Sequence, residues 1–243
     1  VSAWQALLWG AFTSGSLLIG EALAGPLAGR SRTTAHVMAF GAGTLISAIA
    51  YELIPESSFS HGLGIGVAFG LGALVYYIAD RIVDKQGGND RKDIHPVAAA
   101  QGSGMAMFLG ALLDGIPEAY VLGTTLALGG SANVAFVAAV FVSNIPEGVA
   151  GTTSLRAAGY SSRRVFQLWS TLVGVCAFVA LGGFLFATSH EVDGAYTEAF
   201  AAGAMLTMLA DSMVPEAYEH GGRAVGLTVV AGYLAAATLS VLS

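Results

Sequence analysis

The chain has 243 residues, of which 55% are hydrophobic and only 11% charged, with a mean hydropathy of +0.69. A soluble domain carries about 25% charged residues, so this composition excludes an ordinary water-solvated fold. The net charge of −6 excludes a nucleic-acid footprint, and the single cysteine, Cys176, excludes a disulfide framework and a cysteine-rich metal site. What remains is an all-α integral membrane protein whose partner is the lipid bilayer.

Runs of about 20 apolar residues are long enough to cross a bilayer core as helix, and the chain holds eight of them. The first, Trp4–Leu27, ends ahead of Arg30 and Arg32. The second, Thr33–Ile54, carries Glu52 and runs into Pro55-Glu56. The third, Gly62–Val83, ends on Asp80 and Arg81, and a polar link over 84–100 follows. The fourth, Gln101–Leu128, and the fifth, Ala132–Leu155, each carry an Ile-Pro-Glu motif (Ile116-Pro117-Glu118 and Ile145-Pro146-Glu147). The sixth, Arg164–Thr188, holds Cys176, which reads most simply as a small buried residue. The seventh, Ala195–Met213, carries Asp211 and leads to Pro215-Glu216. The eighth is Gly222–Leu242.

Every lysine and arginine (Arg30, Arg32, Arg81, Lys85, Arg91, Lys92, Arg156, Arg163, Arg164 and Arg223) falls after an odd-numbered run. The positive-inside bias then places those ends in the cytoplasm and both termini outside, in the plasma membrane. The chain also repeats itself. Ala39-Phe40-Gly41-Ala42-Gly43 and Ala199-Phe200-Ala201-Ala202-Gly203 lie 160 residues apart, and each is followed at the same interval by Pro-Glu. Runs two and seven cross in opposite senses, so the expected architecture is a 3+2+3 inverted repeat with runs four and five as the central pair.

At 3.6 residues per turn, Asp114 and Glu118 stack on one face of run four. Ser143 and Glu147 do so on run five, with Asn144 beside them. All lie near mid-span, where burying a carboxylate costs several kcal/mol unless it is paired, protonated, hydrated or metal-bound. No lysine or arginine lies mid-span, so a metal ion or protons must supply the positive charge. Pro117 and Pro146 cannot bond the carbonyls of Leu113 and Val142, which leaves two further oxygens for a cation.

Eight runs, a 3+2+3 repeat and Pro-Glu motifs in runs two, four, five and seven resemble the ZIP (zinc/iron-transporter-like) family of divalent metal transporters over essentially the whole chain. The resemblance implies that zinc or a related divalent metal (Fe, Mn or Cd) enters the cytoplasm as substrate, and that the protein is a homodimer. It implies metal ligands at Asp114, Glu118, Ser143, Asn144 and Glu147. Asp211 takes a position where many relatives carry His, which implies an inner release site with Asp80, Glu216, Glu219 and His220 near it. The span-four motif of the family usually reads His-Asn-x-Pro-Glu-Gly, and this chain has Asp114-Gly115-Ile116-Pro117-Glu118-Ala119. Replacing imidazole by carboxylate makes the site harder and moves preference toward Mn, Fe or Mg, although zinc accepts such oxygens.

Other polar groups have plainer readings beside functional ones. Glu52 is either a proton carrier or a group bonded to backbone. His190, Glu191 and Asp193 read as a solvated loop before a metal entrance, and His95 as a loop histidine before a sensor. No cofactor is expected. No membrane-embedded Ser/His pair, Gly-rich aspartyl pair or His-Glu-x-x-His helix occurs, so an enzyme is not expected. A metal-sensing or transport-inactive relative, and a proton- or cation-conducting pore, remain as alternatives.

Overall fold

An apolar segment in lipid has to close its own backbone hydrogen bonds, and a helix is how a single segment does so. The structure, a computed structural model, describes residues 2–27, 30–54, 62–85, 104–129, 133–190 and 194–242, and the regular elements among them are all helical. Helix α1 (Ala3–Ala24) starts where the Gln5 side chain accepts the Ser2 N–H at 2.7 Å. Helix α2 (Ser31–Ala48) runs on through a wide π-turn, Ile49–Leu53. Then come α3 (Leu63–Val83), α4 (Gly104–Gly129) and α5 (Val134–Ala157). Asn133 caps α5, its side-chain oxygen accepting the Phe136 N–H at 3.0 Å. Helix α6 is Ser162–His190. Helix α7 (Gly194–Met208) passes through a second π-turn, Leu209–Met213, into α8 (Val214–Gly221), and α9 (Val225–Leu242) closes the chain.

Six stretches among the described residues are long and apolar enough to cross a membrane: Ala3–Ala24, Ser31–Leu53, Leu63–Val83, Val134–Ala157, Ser162–Ser189 and Gly194–Leu242. The last of these turns at Gly222, whose φ of 69° lies in the left-handed region that favours glycine. Helix continues past Met213, the expected end of the seventh run, as far as Gly221. The first run ends earlier than expected, at Ala24 and not Leu27.

The backbone carries a set of coincidences at the 160-residue interval. The two π-turns, 49–53 and 209–213, are one pair, each closed by the same bond (Ile54 N–H to Ile49 O, Val214 N–H to Leu209 O). Proline offers a reason for the second: Pro215 cannot complete an α-turn to the Asp211 carbonyl, and the wider turn ahead of it absorbs the misfit. Gly62 (φ 68°) and Gly222 (φ 69°) are another pair.

Helix contacts show the same spacing. A methyl group on Gly43 would sit 2.0 Å from the Val229 carbonyl oxygen, and one on Gly203 would sit 2.0 Å from that of Phe69. Gly232 presses on the Phe40 oxygen and Gly72 on that of Phe200 in the same way. Helices α2 and α9, and α3 and α7, thus meet backbone to backbone along antiparallel lines where only glycine fits. Helix α1 packs on α5 and α6, α4 packs on α6, and α2 packs on α5, so α5 is enclosed: 72% of its apolar window is buried against 17% for α3. Helix α5 is the interior element of the bundle.

Candidate functional site

Five of the six residues expected to hold metal lie in that interior. Asp114 is 1% exposed, Glu118 4%, Ser143 1%, Asn144 4% and Glu147 8%. Helix periodicity sets this arrangement: the acidic stripe of α4 turns inward while Ile116, between its members, is exposed. Pro117 sits on that outer side and lines an apolar cavity of about 520 Å³ with Leu71, Tyr120, Tyr196 and Phe200. On α5 the glycine of a neighbour sets the depth of the site, because a methyl on Gly41 of α2 would lie 2.8 Å from the Ser143 Cα.

Each side chain has a definable setting. The Tyr76 hydroxyl of α3, itself 2% exposed, donates to the Asp114 carboxylate. Ser143 donates to the Val140 carbonyl at 2.9 Å, and the Asn144 amide reaches the Thr13 carbonyl of α1 at 3.4 Å. The Cys176 thiol of α6 is buried against α4, where a methyl on Gly115 would lie 3.0 Å from its sulfur. Among the described residues, no three His, Cys, Asp or Glu side chains stand close enough together to hold a metal ion. The central acids share an interior without sharing a single point.

The sixth expected ligand, Asp211, lies elsewhere in character: it is exposed, in the π-turn Leu209–Met213. Of the residues grouped with it, Asp80 is buried at 8% exposure, Glu219 is exposed, and Glu216 pairs with His220 one turn on at 3.0 Å. Glu52 is bonded to side chains and not to backbone. Its carboxylate accepts bonds from the Asn133 amide and the Ser240 hydroxyl, side chains on α5's cap and α9, and so ties the first π-turn to both. Pro55, Glu56, His61, His95, Glu191 and Asp193 lie outside the described residues, and the His190 side chain with them.

Three polar residues of the interior were not singled out from the sequence as candidate ligands. Glu21 on α1 is buried at 8% exposure, within the electrostatic reach of Arg156 at the end of α5. An acid inside the first apolar run was a readable signal. Tyr76 and Cys176 gave none, because tyrosine and cysteine in an apolar run look like core. Yet every described lysine and arginine is exposed, while Glu21, Asp80, Asp114, Glu118 and Glu147 are buried. Negative charge is inside and positive charge is outside.

Several apolar helices around an acidic interior define a multi-pass membrane protein. No family model matches the chain. It is 28% identical over 185 residues to the "Putative zinc transporter" of Arabidopsis thaliana, an alignment that covers 74% of this chain and 29% of that one. The chain thus spans less than a third of the length of this relative. The relationship fits the ZIP-like resemblance carried by the Pro-Glu motifs.

Proposed function

We propose that this chain carries a divalent metal cation, zinc or a related transition metal, across the membrane into the cytoplasm by way of Asp114, Glu118, Ser143, Asn144 and Glu147. One observation carries the reading: five carboxylates are buried in the apolar bundle while every described lysine and arginine is exposed. A carboxylate in such a place is expensive unless it is paired, protonated, hydrated or metal-bound. A mobile divalent ion meets the last condition, and the relative's printed name agrees with it.

In this reading the bundle has eight spans. To the six apolar stretches are added Gly104–Gly129, a helix of 26 residues, and a division of Gly194–Leu242 at the Gly222 turn. The matched π-turns, turn glycines and glycine contacts at 160-residue spacing support an inverted repeat. Binding requires the side chains of α4 and α5 to move together, since they are apart as the structure stands. Asp211, exposed beyond the buried group, serves as a release ligand on the way out.

The test is uptake of zinc, iron, manganese and cadmium into liposomes holding the purified chain. Saturable entry that Glu147→Ala abolishes supports the reading. Metal binding without entry would instead make the chain a sensor, and normal entry by Glu147→Ala would remove the site.

A further inference from the structure

We propose that Tyr76 is a positioning residue of this pathway: its phenol holds the Asp114 carboxylate while no ion is bound, and the arriving metal takes the phenol's place. The inference rests on the metal-transport reading above and concerns how tightly that site holds its ion.

Helix α3 has few buried residues: Ile65, Gly72, Tyr76 and Asp80. Gly72 seats the helix on α7. Tyr76, one turn on, reaches across to α4 instead, and its hydroxyl donates to Asp114 with both side chains buried. The seam that this bond crosses is loosely filled. Beside the bond, Ala68 and Leu71 of α3 and Ile116, Pro117 and Tyr120 of α4 line the cavity of about 520 Å³. Packing alone does not call for a phenol at 76. The residue 160 positions on, in the matching place on α9, is Ala236, which is buried too. The glycines one turn before them, Gly72 and Gly232, press on backbone oxygens alike. In the other half of the chain a methyl group fills the same place.

The chemistry of the pair fits exchange. A phenol O–H is neutral, so it satisfies one lone pair of a buried carboxylate without cancelling the charge. A lysine there would neutralise Asp114 permanently and exclude a cation, and a phenylalanine would leave the carboxylate one donor short. A divalent ion offers the charge that the phenol lacks. It displaces the O–H, which keeps its proton throughout, and the cavity gives α4 room to shift as the partners change. On release the O–H returns to the carboxylate. Binding therefore breaks the Tyr76 bond, which makes the site weaker than bare acids would be and its release faster.

The test follows tyrosine and metal together in the full chain, purified in nanodiscs and stripped of metal. Zinc is titrated while the tyrosine ultraviolet difference spectrum is recorded and bound zinc is counted. The expected result is a saturable tyrosine signal in the parent, in step with binding, that is missing from Tyr76→Phe and kept in Tyr77→Phe. Tyr77, exposed and bonded to Arg81, is the control. Tyr76→Phe keeps the ring, and its zinc affinity rises about tenfold to a hundredfold, the range for a lost hydrogen bond to a charged group. In liposomes its KM and its maximal rate of uptake fall together, whereas a merely structural loss lowers the rate and does not tighten binding. Zinc bound to the parent with no tyrosine signal, a measurement needing no variant, overturns the Tyr76 assignment and leaves metal transport standing. Equal or weaker zinc affinity in Tyr76→Phe overturns it as well. Neither bound zinc nor uptake in the parent overturns both readings together.

Discussion

Asp114 is held by a phenol, and that bond sets two expectations at the scale of single residues. Tyr76→Phe removes one hydrogen bond to a buried carboxylate, which is worth about 1.5–3 kcal/mol where a charged partner is involved. If the bond restrains Asp114 from the metal, the variant binds metal more tightly in equilibrium dialysis while its thermal midpoint in detergent falls. Asp114→His places a softer imidazole beside Gly115, and the ratio of zinc to manganese uptake rises in liposome assays. The acids themselves were legible without any structure, because charge in an apolar run is unusual whatever surrounds it. Their partners were not. Tyr76 gains its meaning from a carboxylate on another helix, and no spacing within α3 announces that.

At the scale of elements, the joints are glycines and wide turns. The Phe200 oxygen lies 1.8 Å from where a methyl on Gly72 would stand, so Gly72→Leu forces α3 off α7. The expected cost is about 1–3 kcal/mol of overpacking, seen as a lower midpoint of thermal unfolding in detergent. A substitution at Gly66, where nothing lies within 4 Å, is the control. The first wide turn has its own anchor. Glu52→Ala removes the acceptor shared by Asn133 and Ser240, and faster hydrogen exchange at the start of α5 is the expected readout. Apolar runs gave the helices and nearly their ends. The π-turns stayed hidden, because a helix widened by one residue keeps the same hydrophobic length. The extension through Gly221 was hidden too, since Glu216, Glu219 and His220 read as the polar end of a span.

For the whole molecule, the proposed orientation rests on the one-sided placement of lysine and arginine. Leu63, 91% exposed at the start of α3, and Ser161, exposed between α5 and α6, belong to opposite faces of the membrane by the positive-inside bias. Single cysteines at these positions in a Cys176→Ser background are expected to differ in intact cells. A membrane-impermeant maleimide labels Leu63→Cys and leaves Ser161→Cys unlabelled until the cells are opened. The reverse pattern would invert the assigned direction of transport. The expected sidedness comes from the positions of ten basic residues alone, and the labelling pattern is its test. The interior arrangement required the fold, because burial of five acids on four helices is a property of packing.

The turn at Gly62 and the turn at Gly222 are nearly the same object made twice, and in the proposed topology one faces each side of the bilayer. A duplicated shape carries no address, so something else must tell the insertion machinery which copy to leave behind. At the step after each glycine the copies part company: Leu63 follows one and Arg223 follows the other. Exchanging those two side chains would blur the label without touching the architecture, and a fraction of molecules would then enter the membrane upside down.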